Sequence, residues 1–193
     1  MEKIILASSS PRRSELLSRA GIPFTVMPSD VDESKVNLTG TPEMKAEYLA
    51  YLKASDVARK VESGIVLGAD TIVVCDDEIF GKPCDEADAL RMLKRLNGRE
   101  HIVITGVALI DASGKKESVG HETTQVRFST LKDKEIMAYI KTGEPFGKAG
   151  AYAIQERGSL MVESINGCFS NVVGLPIRKL VKMLGDFGIM VLE

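Results

Sequence analysis

Apolar residues along this 193-residue chain recur with two periods, and the switches between them mark its predicted elements. Residues 3–7, "KIILA", predict a strand whose apolar run begins at Ile4. It breaks at three serines, and Ser10 with Pro11 predicts a helix start, with Leu16, Leu17 and Ala20 as its apolar face and Gly21 as its stop. "FTVMPSDVDES" predicts a strand running into an acidic loop. A second helix is expected from Thr41–Pro42 to about Val61. "GIVLGADTIVVCDDEIFGKP" predicts two strands with a turn at Asp76–Glu78. A helix follows from Asp85 to Asn97, with Ala89, Leu90, Leu93 and Leu96 inward and Gly98 as its stop.

The middle of the chain is β-rich. "HIVITGVALID" and "ESVGHETTQVRFS" flank the turn "ASGKK", which predicts a hairpin. A short helix is expected over Lys132–Lys141, ending at Gly143. "GEPFGKAGAYAIQERG" is rich in glycine and carries neither period. "LMVESING" predicts a strand. Pro176 opens a last helix with Ile177, Leu180, Val181 and Leu184 inward and Gly185 as its close, and "GIMVLE" predicts a final strand. Strands and helices alternate at both ends around a central hairpin. The pattern predicts an α/β fold with a mixed sheet in two lobes, and no composition shift marks a linker.

Composition narrows the function classes. The chain is 44% hydrophobic and 27% charged, with a net charge of −2, so no global basic field points to nucleic acid. Any anion site has to be built locally. Cys75, Cys84 and Cys168 form no CxxC pair, and His101 and His121 lie at no zinc spacing. The cysteines read as reduced thiols, small core hydrophobes of a cytoplasmic protein. "IILA" is too short for a signal peptide, and no apolar run approaches the roughly 20 residues of a membrane span.

Five features carry candidate chemistry. The first helix start offers unpaired N–H groups, with Ser8, Ser10, Arg12 and Arg13 as added donors for an anion. Asp70 sits inside an otherwise apolar strand, where a carboxylate is costly unless paired or metal-bound. Lys53 falls on the apolar stripe of the second helix with Ala46, Leu49, Ala50, Val57 and Val61, so it points to the core or a cleft. Lys82 in "FGKP" and Lys148 in "PFGKAG" follow glycines that let a ligand approach, though neither is a Walker A loop. Asp30, Asp32 and Glu33 form an acidic loop suited, with Asp70, to Mg²⁺ beside substrate phosphates. Each feature also has a plainer reading: a surface arginine pair, a paired strand-end Asp, a snorkelling lysine, solvated turns. Together they suit phosphoryl or pyrophosphoryl transfer, in which cations hold the phosphates while carboxylates hold metal and activate water.

In order along the chain, "LASSSPRR", "GADT", "GKP", "TGV", "GKAGAYAIQ" and "ING…NVVGLP" resemble the Maf family of house-cleaning nucleoside triphosphate pyrophosphatases, from Leu6 to Pro176. The resemblance implies one Maf-like domain over residues 1–193, similar to inosine triphosphate pyrophosphatases, with a mixed twisted sheet in two lobes around a central cleft. It implies hydrolysis of a nucleoside triphosphate to the monophosphate and pyrophosphate with a divalent cation, Mg²⁺ or Mn²⁺. Asp70 matches the family's proton acceptor. Ser8, Arg13, Glu33, Lys53 and Lys82 match its phosphate- and metal-site residues, which makes Glu33 and Asp70 the implied metal ligands. Arg12, Thr71 and Gln155 match the branch acting on dTTP and UTP, and a glutamine amide can both donate to and accept from a pyrimidine edge. A cytoplasmic homodimer with a small-molecule substrate, no nucleic acid and no membrane is implied as well. The name's association with septum inhibition leaves a non-catalytic, nucleotide-sensing regulator of cell division as the alternative.

Overall fold

The first strand, β1 (Ile4–Leu6), is fully buried and lies between two parallel neighbours, β2 (Phe24–Val26) and β3 (Ile65–Cys75). The link from β1 to β2 runs through α1 (Pro11–Arg19), as a parallel pair requires a crossover. The computed structural model describes residues 3–36, 39–114 and 116–192, so Lys115 of the predicted hairpin turn and Glu193 lie outside the described residues.

The remaining elements are a 3₁₀ turn at Glu33–Lys35, α2 (Pro42–Ala58), β4 (Glu78–Phe80), α3 (Glu86–Leu96), β5 (Glu100–Asp111), β6 (Glu117–Phe128), α4 (Asp133–Ile140), β7 (Val162–Asn166), α5 (Phe169–Val173) and α6 (Ile177–Asp186). Two more 3₁₀ turns, Ala149–Ala151 and Arg157–Met161, fill the glycine-rich stretch. Among the described residues seven strands make one mixed sheet, in the order β2-β1-β3-β5-β6-β7, with β4 antiparallel to β3 and β7 antiparallel to β6.

The chain divides into two compact units. Unit 1 comprises Met1–Asp70, Thr105–Glu122 and Gly174–Glu193, and unit 2 comprises Thr71–Ile104 and Thr123–Val173. In unit 1, α2 packs through Ala50, Ala54 and Val57 on Ile5, Ala7, Val66, Ala108 and Ile110. Two glycines set how closely it sits. A Cβ on Gly68 would overlap the Ala50 carbonyl oxygen, and one on Gly106 would overlap that of Ala46. In unit 2, Phe128, His101 and Tyr152 meet edge to face, with Phe80, Leu93 and Leu96 fully buried.

Several expectations are corrected. Gly185 does not close the last helix: α6 runs through it to Asp186, and Gly188, at φ 76°, takes the left-handed turn that ends it. "GIMVLE" forms no strand among its described residues. Its start instead folds back, with Gly188 N–H on Gly185 O and Ile189 N–H on Leu184 O. The second helix ends at Ala58, short of Val61. In α3 Ala89, Leu93 and Leu96 are buried as expected and Met92 joins them, while Leu90 is half-buried. Ile177 and Val181 are likewise half-buried in α6, where Leu180, Met183 and Leu184 are buried. Only Cys75 is a core thiol, since Cys84 is exposed and Cys168 half-buried. No described helix is long and apolar enough to cross a membrane.

Candidate active site

Register brings the first motif to the second. Leu6 pairs with Leu67, and the ladder ends with Ala7 N–H on Leu67 O. Beyond that point β3 continues through Asp70 to Cys75, while the segment after β1 turns through Ser8 into α1. Ser8 and the start of α1 therefore stand at the carboxyl end of the parallel strand β1, where ligands of open α/β sheets bind, and Asp70 lies within β3 just past its last residue paired with β1.

Ser10 occupies the N-cap position of α1 with extended backbone, but its hydroxyl does not cap the helix. Ser10 thus marks the predicted helix start by position, without a side-chain cap. Its N–H instead donates to Ser8 Oγ at 3.2 Å. Arg13 reaches back from the first turn. Its Nη1 donates to Ser8 Oγ at 2.9 Å and its Nε to the Gly174 carbonyl at 2.9 Å. These two bonds fix the plane of the guanidinium. Burial lowers the Arg13 pKa from its ordinary value, the Asp70 carboxylate opposes that shift, Arg12 adds to it and Glu33 opposes it. The four charges thus share one neighbourhood. The first turn of α1 carries no acidic side chain, which leaves its positive end uncompensated from within the helix.

Lys53 is drawn in from the other side. It sits on the buried stripe of α2 with Ala46, Leu49, Ala50, Ala54 and Val57. Its ammonium lies 2.6 Å from Asp70 Oδ1 and 2.7 Å from Glu33 Oε1. Lys53 and Asp70 are both buried, while the Glu33 side chain remains 41% exposed and forms the open side of the cluster. Close seating of α2 through Gly68 makes this reach possible, because Gly68 shares β3 with Asp70. The acidic loop is itself anchored. Asp30 N–H donates to Asp56 of α2, and Lys60 bridges Asp30 and Asp56 at 2.8 Å each.

The structure therefore gathers Ser8, Arg13, Glu33, Lys53 and Asp70, with Ser10 joined through its backbone and Arg12 through its charge. Thr71, Lys82 and Gln155 belong to unit 2. Thr71 is half-buried and follows Asp70 on β3, Lys82 is exposed after β4, and Gln155 is half-buried between the two 3₁₀ turns of the glycine-rich stretch. Lys148 is turned to a structural task, with its ammonium 2.6 Å from the Glu144 carbonyl. A groove of about 500 Å³, lined by Thr39, Met44, Glu47, Tyr48, Tyr51 and Val119, includes none of the candidate residues. Sequence reasoning missed the Gly174 carbonyl. Its only signal is the fragment "NVVGLP", which says nothing of a hydrogen bond to residue 13.

Glu33 and Asp70 converge on a single cation-sized point, held here by the Lys53 ammonium. Among the described residues no group of three or more His, Cys, Asp or Glu side chains is placed to hold a metal. A donor set of one or two carboxylates, completed by water and substrate phosphates, is the kind Mg²⁺ uses.

The family model described as Maf-like protein matches residues 3–187. This chain belongs to that family. The Maf-like chain is 57% identical over 184 residues to the dTTP/UTP pyrophosphatase of Ruminiclostridium cellulolyticum, covering 95% of each. It is 54% identical over 186 residues to the dTTP/UTP pyrophosphatase of Geotalea uraniireducens, covering 96% of this chain and 95% of the relative. Among solved structures, a HAM1 protein from Coxiella burnetii matches with TM-score 0.51 and 12% identity over 96% of this chain and 100% of that one, a likeness of fold.

Proposed function

We propose that this Maf-like chain hydrolyses dTTP and UTP to the nucleoside monophosphate and pyrophosphate. The observation that carries the reading is the buried Asp70–Lys53 pair, completed by Glu33 and set beside the tethered Arg13. A protein that only senses a nucleotide has no use for a proton acceptor at this point, so the cluster favours turnover over plain sensing.

In this reading Arg13, Lys53 and Lys82, with the N–H groups of the α1 terminus, hold phosphate oxygens, and the Ser8 and Ser10 hydroxyls add donors. Asp70 accepts the proton of the attacking water. The water oxygen bonds the α-phosphorus, and the bridging oxygen leaves with pyrophosphate. A divalent cation, Mg²⁺ or Mn²⁺, would be held by Glu33 and Asp70 and would neutralise charge on the phosphates. Lys53 then has a second partner to turn to, because a phosphate oxygen can replace a carboxylate one. Gln155, with Arg12 and Thr71, is assigned to the base, since a neutral amide can donate to a pyrimidine carbonyl and accept from its N–H. A homodimer and a cytoplasmic setting are carried with this reading from the family resemblance, and sedimentation velocity checks the first.

The test is pyrophosphate release from purified protein with dTTP or UTP and Mg²⁺ or Mn²⁺. Release from both, exceeding that from purine triphosphates, is expected. Absence of release under every metal tried would remove the assignment.

A further inference from the structure

The stretch from Glu144 to Gly158 has little regular structure, yet one side chain ties its two ends together. Glu144 Oε1 accepts the Gly158 N–H at 2.9 Å and the Tyr139 O–H at 2.9 Å, and Oε2 accepts the Arg157 N–H at 3.1 Å. Both oxygens are engaged by three donors drawn from the end of α4 and the start of the 3₁₀ turn at Arg157–Met161. Charge-assisted bonds of this kind are about twice as strong as neutral ones.

Within the closed segment the backbone is held at further points. Gly150 N–H donates to Gly81 O at 3.0 Å, and a Cβ on Gly150 would meet the Val73 side chain at 2.9 Å. The Tyr152 hydroxyl lies 2.8 Å from His101 Nε2, and its ring stands edge-on to Phe128 at 4.8 Å. Ala151, fully buried, takes a left-handed φ of 62°. A non-glycine residue keeps such a backbone only where its surroundings over-determine it, and such places cluster at functional sites. Gln155 lies midway between the Tyr152 anchor and the Gly158 end of the clamp.

We infer that Glu144 is a positioning residue: its carboxylate closes the 144–158 segment and so fixes where the Gln155 amide stands. This rests on the reading that Gln155 contacts the pyrimidine. An amide can tell one base edge from another only if it is held to within roughly half an ångström. With the segment open, Gln155 would sample several positions, and discrimination would fall before phosphate handling did. Glu144→Gln is the suitable probe. It keeps the size but presents one acceptor oxygen to three donors and turns an N–H₂ group toward an N–H.

The experiment is a double-mutant cycle read as the ratio of kcat/KM for dTTP over dCTP in wild type, Glu144→Gln, Gln155→Ala and the double variant. Glu144→Gln is expected to lower the ratio about fivefold in the presence of Gln155 and not to lower it further in the Gln155→Ala background, the non-additivity of residues acting as one unit. Should Glu144→Gln prove insoluble, Tyr139→Phe removes a single donor and should lower the ratio in the same direction by a smaller factor. Equal loss for both nucleotides, or the same drop in ratio in both backgrounds, means Glu144 only supports the fold and overturns the inference. If Gln155→Ala itself leaves the ratio unchanged, the base-reading assignment fails, and the inference falls with it. If Gln155→Ala changes the ratio while Glu144→Gln does not, only the inference fails.

Discussion

Lys53 Nζ stands 2.6 Å from Asp70 Oδ1, and the two side chains retain only 11% and 8% of their exposure. A buried ion pair of this kind is a poor source of stability, because desolvation offsets most of the attraction. Its retention is better explained by chemistry that needs a carboxylate held ready and a cation able to change partners.

Asp70→Asn should abolish most turnover while sparing the fold. The amide cannot take a proton from water, and general-base contributions are about 10²–10⁴-fold, so pyrophosphate release should fall by at least about 100-fold. Lys53 keeps Glu33 at 2.7 Å, so the ammonium is not left unpaired and the melting temperature should move little. Activity within a few-fold of wild type would remove Asp70 from its assigned role.

Lys53→Met leaves two carboxylates facing each other without their shared cation. Breaking one side of a buried pair typically costs about 3–5 kcal/mol, so the variant should melt well below wild type. A divalent cation then has the point between Glu33 and Asp70 to itself. Mn²⁺ should therefore raise the melting temperature of Lys53→Met more than that of wild type, by the linkage of binding to folding. Equal shifts in both proteins would argue against these two carboxylates as ligands.

Arg13→Lys keeps the charge and loses the geometry. Nε on Gly174 and Nη1 on Ser8 are two bonds from one planar group, and a lysine ammonium cannot reproduce that fork. Turnover should drop by about tenfold or more, at a stability cost on the order of 1 kcal/mol for the lost bonds. The paired readouts are initial rates and urea midpoints, and a variant with full activity would show that charge alone suffices.

Gly68→Ala should be among the most damaging single-methyl changes in the chain. The added carbon would collide with backbone of α2 rather than with a flexible side chain, so the helix must lift from the sheet. Overpacking usually costs about 1–3 kcal/mol, and the rigid backbone partner puts this case at the upper end. Lifting α2 also draws Lys53 away from Asp70, so activity should fall further than stability alone explains.

Burial pushes the His101 pKa down from 6.5 to about 4, so the ring is neutral in the native protein and protonates more readily when unfolded. Between these two values the unfolded chain binds the extra proton. Stability from this group is therefore present above pH 6.5 and is lost as pH falls toward 4, by an amount on the order of 3 kcal/mol. His101→Gln keeps a partner for the Tyr152 hydroxyl and should flatten the melting-temperature profile over that window relative to wild type. Parallel profiles for the two proteins would count against it.

Much of this was legible in the sequence for physical reasons. The Ser10–Pro11 start, the helix start at Asp85 and the 3.6-residue stripe that carries Lys53 inward are local signals, and local signals decided those elements. Asp70 stood out because a carboxylate in an apolar strand must have a partner, though its partner was visible only in three dimensions. The last helix ran past Gly185 because that glycine is exposed with open space around it and costs the helix little. "GIMVLE" looked like a strand by composition, yet strand formation depends on an available neighbour rather than on apolar content. The glycine-rich stretch stayed unreadable because its order comes from long-range anchors, Glu144 to Gly158 and Tyr152 to His101, rather than from periodicity.

The bond from Arg13 to the Gly174 carbonyl joins positions 161 apart in the sequence. During synthesis on the ribosome, the N-terminal arginine is made early but cannot be aimed until residue 174 has emerged from the exit tunnel. Until then the Arg13 guanidinium lacks the carbonyl that accepts its Nε–H. The aim of the Arg13 guanidinium is therefore settled late in translation, by where one carbonyl happens to be encoded.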